Sequence, residues 1–128
     1  MLIFGHPWIK ATLFRKVFSL EDIKQTPADE IVLLEPLSDS ITLAQYCQAQ
    51  RIAYALIVNS VTEALFANAL GSQYIICQEE DAINIQPLAQ EYLFDTKVLM
   101  LIGSEKEIEK MAKLSIDGVI FPEAIHID

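Results

Sequence analysis

Polar and acidic residues follow several of the strands that the sequence predicts, and these side chains are the best placed to do chemistry. The carboxyl ends of parallel strands meet at one edge of a sheet, so residues after different strands come together there. The predicted ligand-binding edge consists of Glu35, Asp39, Asn59, Glu79, Glu80, Asp81 and Ser104. Carboxylates clustered at such an edge could bind Mg²⁺ and serve a small-molecule enzyme. Acidic loops are more often simply solvated, so we predict no metal and no cofactor.

A second pattern is typical of a phosphate site but is weaker. Gly103 and Ser104 stand between a predicted strand and a predicted helix, where backbone N–H groups can hold an anion. Glu105 and Glu107 would repel that anion, and the chain has none of the glycine motifs that bind nucleotides. Ser104 also begins an S-x-x-E capping box, as Ser60 does, which predicts a structural role for both serines.

The charge of the chain excludes one class of partner. Its 18 acidic and 9 basic residues give a net charge of −9, which argues against nucleic acid, because phosphate binding needs clustered lysine and arginine. The balance is reversed at the start of the chain, where Lys10, Arg15, Lys16 and Lys24 outnumber Glu21 and Asp22. This basic opening either serves solubility or docks on an acidic patch of the same domain or of a neighbouring subunit.

Five buried-strand patterns alternate with helix-like stretches along most of the chain. They span residues 31–35, 53–59, 74–78, 98–103 and 118–121. Strands that are apolar on both faces and alternate with helices are typical of a parallel sheet covered on both sides. The sequence therefore predicts a three-layer α/β fold with a mostly parallel, five-stranded, doubly wound sheet. The whole of 1–128 is predicted to be one domain, with repeated βα units over 31–128.

The opening 30 residues do not share this rhythm. Residues 2–4 and 12–17 are predicted to be two short strands, and a helix is predicted to begin at Ser19. This segment forms a small N-terminal β element and helix ahead of the repeats. Cys47 and Cys77 fall in a helix pattern and a strand pattern, where a free thiol packs as a small apolar group.

The size and rhythm of residues 31–122 resemble the doubly wound, flavodoxin-like class, which includes flavodoxins and phospho-receiver domains. The resemblance to receivers implies a phosphoryl-accepting aspartate after the third strand and a lysine after the fifth. Here Gln78 and Glu79 follow the third strand, and Pro122 and Glu123 follow the fifth. Only Ser104 matches a hydroxyl position of that family, so the resemblance implies at most a degenerate receiver-like regulator. The repeats also resemble pieces of a (βα)8 barrel, although five units are too few to close one.

The last predicted strand, at residues 118–121, is the main reason to expect that the protein associates with a partner. Strand 118–121 is followed by only seven residues, too few for a helix that would cover it, so its apolar face and edge require a partner. Residues 1–8 could supply that cover, and otherwise a second copy would. No apolar run reaches the length that a bilayer requires, and no secretory signal is recognisable. We therefore predict a non-catalytic, cytoplasmic interaction module that forms a homodimer, with a small-molecule or metal-binding enzyme as the alternative.

Overall fold

The computed structural model describes residues 1–10 and 12–127. Within this part of the chain, eight strands, five α-helices and one 3₁₀ turn follow one another. The strands are β1 (Leu2–Phe4), β2 (Phe14–Lys16), β3 (Ile31–Leu34), β4 (Tyr54–Ile57), β5 (Tyr74–Cys77), β6 (Lys97–Leu101), β7 (Gly118–Ile120) and β8 (Ile125–Ile127). The α-helices are α1 (Leu20–Gln25), α2 (Leu37–Gln50), α3 (Val61–Leu70), α4 (Glu79–Glu91) and α5 (Lys106–Lys113), and the 3₁₀ turn is Pro122–Ala124.

The strands form one parallel sheet in the order β1-β7-β6-β5-β4-β3-β2-β8. The predicted α/β class and parallel βα units are confirmed, and the five predicted strands correspond to β3–β7. The predicted number of strands is wrong, because the opening and closing segments join the same sheet. β1 pairs with β7, and β2 lies between β3 and β8. The predicted strands at residues 2–4 and 12–17 contain β1 and β2, whereas β8 was not predicted. Each of these three strands is only three residues long, too short to indicate which strand it pairs with.

The sheet is wound in one direction, unlike the doubly wound arrangement that the sequence predicts. From β2 to β7 the strands lie side by side in chain order. Because right-handed crossovers that all step the same way leave their helices on one face, the fold has two layers instead of three. The apolar cluster on the helix side contains residues from all five helices, including Ile23, Ala44 and Met111. On the opposite face, the buried apolar cluster consists of strand residues and Ala124 of the 3₁₀ turn.

The face without helices is buried because the sheet curls into a half-barrel. Phe4 of β1 and Phe14 of β2 are separated by five strands in the sheet, yet their ring centroids are 5.1 Å apart. Tyr74 of β5 packs against both rings, at 5.5 Å from Phe4 and 5.6 Å from Phe14. These three aromatic side chains fill the interior and thereby hold distant strands together.

The opening segment covers β7, which is the first of the two alternatives that the sequence left open for this strand. Leu2 and Phe4 are in register with Gly118 and Ile120 of β7, and the Phe121 backbone N–H donates to the Phe4 carbonyl at 2.9 Å. Strand β7 therefore lies inside the sheet, and the two edges of the sheet are β1 and β8. The open edge from which self-association was expected does not exist at β7.

Candidate functional site

One concave feature of the molecule opens at the carboxyl ends of the strands, on the face without helices. It is a cavity of about 360 Å³ at the mouth of the half-barrel. Its walls are mostly aliphatic and its polar side chains are few. The lining residues are Lys16, Leu33, Ile57, Val58, Asn59, Ile76, Cys77, Gln78, Leu101, Pro122, Ile125 and Ile127.

Alternation along the strands places the aliphatic wall. Side chains two residues apart on a strand point to the same face. Leu33, Ile57, Ile76 and Leu101 each lie two residues after an inward-facing residue of β3, β4, β5 or β6, and all four belong to or pack against the inner apolar cluster. Four successive strands therefore contribute one aliphatic side chain each to the cavity. The chain after β7 closes the remaining side with Pro122, Ile125 and Ile127.

Lys16 supplies the charge at this cavity. It lies two residues after the buried Phe14 on β2 and is in register with Leu33 of β3 and Ile127 of β8. Its Nζ lies 3.2 Å from Oε1 of Glu35, and its side chain is only 22% exposed. Among the described lining residues, Lys16 is the only lysine or arginine. Partial burial beside a single carboxylate gives this lysine a setting different from that of a surface lysine.

The structure separates the predicted edge residues into several groups. Asn59 lines the cavity directly, and Glu35 reaches it through its ion pair with Lys16. Glu79 turns toward α5, where its Oε2 lies 2.8 Å from Nζ of Lys110. Ser104 lines a different cavity. Asp39 is exposed in the first turn of α2.

Within residues 1–10 and 12–127, no three His, Cys, Asp or Glu side chains are grouped as a metal ion would require.

Glu80 and Asp81 belong to the first turn of α4, together with Glu79. Acidic side chains are stabilising in this position because they face the positive end of the helix dipole. Partial burial raises the pKa of Asp81, and the nearby carboxylates of Glu80 and Glu63 raise it further. These acidic residues therefore lie near the positive end of the helix dipole and repel one another, and none of them makes a capping hydrogen bond.

A second cavity, of about 320 Å³, lies beside β1 and contains His6 and Ser104. The Trp8 backbone N–H donates to Nδ1 of His6 at 3.1 Å, so the proton of the neutral ring is on Nε2. That nitrogen lies 2.9 Å from Oε2 of Glu105. Both ring nitrogens of His6 therefore form hydrogen bonds, and the histidine links the opening turn to the loop before α5.

Two polar residues of this cavity, Gln78 and Lys16, are not among the predicted edge residues. Gln78 lies directly after β5 and before Glu79, but carries no charge that would single it out. Lys16 was counted only as part of the basic opening. In the run Phe14-Arg15-Lys16-Val17, the apolar ends flank two charged residues, so a strand there must turn one charge toward each face. Arg15 faces out and binds Glu30 through Nε at 2.8 Å, which leaves Lys16 on the inner face.

Comparison with models of known protein families and with curated protein sequences finds no match to this chain. Over residues 1–10 and 12–127, every helix falls short of the length and apolar character needed to cross a membrane. The function is therefore inferred from the cavity and its side chains.

Proposed function

We propose that this domain binds a small aliphatic molecule with an oxygen-bearing polar head in the cavity at the mouth of the half-barrel. The observation that carries the proposal is a cavity of about 360 Å³ with aliphatic walls at the carboxyl ends of parallel strands. Small-molecule sites commonly have this size, this apolar lining and a few polar groups that orient the ligand. Barrels of parallel strands also place their sites at this end.

The polar side chains around the cavity favour a head group that accepts hydrogen bonds. Lys16 has only donors, and the amides of Asn59 and Gln78 can donate as well as accept. A carboxylate or carbonyl oxygen would accept hydrogen bonds from side chains of this kind, whereas an ammonium group would be repelled by Lys16. The aliphatic part of the ligand would then cover Leu33, Ile57 and Ile76.

Thermal unfolding with matched ligands tests this proposal. Hexanoate should raise the melting temperature, because a ligand that binds only the folded state stabilises it, and hexylamine should not. Ile57→Phe, which fills the cavity, should abolish the shift. Leu65→Phe adds the same bulk on the exposed face of α3 and should leave the shift unchanged. The proposal is wrong if hexanoate gives no shift, or gives the same shift in Ile57→Phe.

We propose self-association as a second function, favoured by an exposed apolar strip outside β1. Trp8 is 86% exposed and Ile9 45% exposed, and with Ile3 and Ile108 they line a groove of about 430 Å³ between β1 and α5. Exposed aromatic and aliphatic side chains grouped in this way are typical of interfaces.

A second copy of this chain is the partner that fits the groove. Its lining includes the carboxylates of Glu105 and Glu109. The segment that carries Trp8 and Ile9 continues into Lys10, which is exposed. In a two-fold dimer, the same segment from each copy would place its apolar side chains in the other groove and its lysine near the acidic rim. The oligomeric state in solution is the measurement that decides this.

A further inference from the structure

We infer that Lys16 forms a reversible imine with a small aliphatic aldehyde or ketone bound in the mouth of the half-barrel. This inference rests on the proposed ligand site and adds a covalent step to it. The relevant geometry is a lysine that lines an aliphatic cavity and has one carboxylate within reach, Oε1 of Glu35 at 3.2 Å from its Nζ.

The setting of Lys16 differs from that of a lysine–glutamate pair elsewhere in the molecule. Lys110 and Glu79 form a comparable ion pair, with Nζ and Oε2 at 2.8 Å, but on the outer surface. The Lys110 side chain is 58% exposed, against 22% for Lys16. Of these two lysines, only Lys16 lines a cavity in which a carbonyl compound could be held beside the amine. The second pair is therefore a matched internal control.

Glu35 is placed to carry the proton that imine formation requires. The Lys16 ammonium gives one proton to the Glu35 carboxylate, and the free amine attacks the carbonyl carbon of the ligand. A C–N bond forms, the carbonyl π bond breaks, and a second proton from nitrogen moves to the oxygen, which gives a carbinolamine. Glu35 returns its proton to the departing hydroxyl group, which leaves as water. The product is a protonated imine on Lys16, and Glu35 is again ionised.

The aliphatic walls favour this chemistry in two ways. They hold the chain of the carbonyl compound, so that amine and carbonyl react within one complex instead of meeting in solution. They also limit the water that would return the imine to amine and carbonyl. Leu33 and Ile127, which are both in register with Lys16, supply the wall on the two strands beside it.

Reductive trapping on the folded protein tests the inference. The protein is incubated with pentanal and cyanoborohydride at neutral pH, and the modified lysines are identified by peptide mass spectrometry. Lys16 should be modified severalfold faster than Lys110 although it is less exposed, and unfolding in urea should abolish the preference. Glu35→Gln should slow modification of Lys16 on the order of 10²-fold, as loss of a positioned proton acceptor does, and leave Lys110 unaffected. Glu79→Gln should leave Lys16 unaffected.

The outcomes distinguish this inference from the binding proposal on which it rests. If hexanoate stabilises the protein but Lys16 is modified no faster than Lys110, imine formation is wrong and binding in the cavity stands. If hexanoate does not raise the melting temperature and Lys16 is modified no faster than Lys110, the binding proposal and the imine inference are both wrong. Equal rates of Lys16 modification in the wild type and in Glu35→Gln would overturn the role of Glu35.

Discussion

Ser60 and Ser104 occupy similar positions in the sequence but make different hydrogen bonds. Ser60 Oγ accepts from the Glu63 backbone N–H at 3.1 Å, the bond expected of a serine at a helix start. Ser104 Oγ accepts from the Lys106 N–H at 3.3 Å, one residue earlier than in a capping box. At that helix, Glu107 does more of the capping, since its Oε2 accepts from the backbone N–H groups of Gly103 and Ser104.

We therefore expect unequal costs from removing the two hydroxyl groups. Ser60→Ala should lower the free energy of unfolding by about 1 kcal/mol, the usual value for a lost N-cap. Ser104→Ala should cost less. Urea unfolding of both variants measures the difference, with Ser38→Ala, an exposed position on α2, as the control. A larger loss for Ser104→Ala than for Ser60→Ala would contradict the assignment.

Both cysteines have thiols that resist ionisation in the folded protein. Burial raises the pKa of Cys47 to about 11 from an ordinary value of 9.0. Burial, with a smaller contribution from the carboxylates of Asp81 and Glu80, raises the pKa of Cys77 to about 12. The thiolate is the reactive form, so neither cysteine is suited to act as a nucleophile in the folded state.

The raised thiol pKa values in the folded state predict how the stability of the protein changes at alkaline pH. Between pH 9 and about 11, the thiols of the unfolded chain lose protons while those of the folded chain keep them. The unfolded state is then favoured, so the contribution of the two thiols to the free energy of unfolding should be fully present below pH 9 and should fall as the pH rises above it. Urea unfolding at pH 8 and pH 10.5 measures this fall. It should be smaller in Cys77→Ala, and an equal fall in that variant would show that other groups cause it.

Strand β7 is packed closely between β1 and β6, and Gly118 makes this packing feasible. Gly118 lies between Leu2 of β1 and Leu99 of β6. A Cβ atom at Gly118 would lie 2.7 Å from the Leu2 Cβ, 2.8 Å from the Leu2 carbonyl oxygen and 2.8 Å from Cδ2 of Leu99. One of these contacts is with backbone, so a side-chain rotation alone could not relieve the clash.

Gly118→Ala should therefore destabilise the protein by about 1–3 kcal/mol, the cost of overfilling a packed interior. The same change at Gly103 provides the control, because a Cβ there would meet no atom within 4 Å. Thermal or urea unfolding of the two variants gives the comparison. If Gly118→Ala is as stable as Gly103→Ala, β1 is not packed against β7 as described.

The elements that could be predicted are those that carry a strong signal along the chain. Strands β3–β7 are runs of apolar residues buried on both faces, so their sequence indicates both the strand and its burial. The order of the strands depends on pairings far apart in sequence, such as Leu2 with Gly118, and no local pattern encodes it. Local patterns did indicate the short strands β1 and β2. They did not indicate the winding of the sheet, the number of layers, the strands with which β1 and β2 pair, or strand β8.

The candidate site was predictable to a similar degree. The carboxyl edge follows from the parallel strands, and Asn59 and Glu35 do lie at or beside the cavity. Glu79 lies elsewhere because Lys110 attracts it toward α5, a contact between residues on two different helices. Lys16 enters the cavity because β2 pairs with β3, and that pairing could not be read from three residues.

For the molecule as a whole, the exposed strip around Trp8 predicts a dimer. Sedimentation equilibrium at micromolar concentration should show a mass above the 14.4 kDa of one chain. Trp8→Ser should shift the protein toward the monomer, because it removes the largest apolar side chain from the groove. Tyr92→Ser is the matched control, since Tyr92 is an exposed aromatic residue at the end of α4. A wild-type monomer, or an equal effect of both variants, would rule out this interface.

The pairing of β8 with β2 has a consequence for folding during synthesis. Phe14 is in register with Ile125, so the two partners leave the ribosome far apart in time. Strands β3 to β6 can each pair with the preceding strand as they emerge, but β2 keeps one exposed edge until residues 125–127 arrive. During that interval, the nascent chain presents an open strand and an uncovered aliphatic face to other proteins. Chaperone contact on the ribosome should therefore be concentrated on this edge and should end when β8 docks.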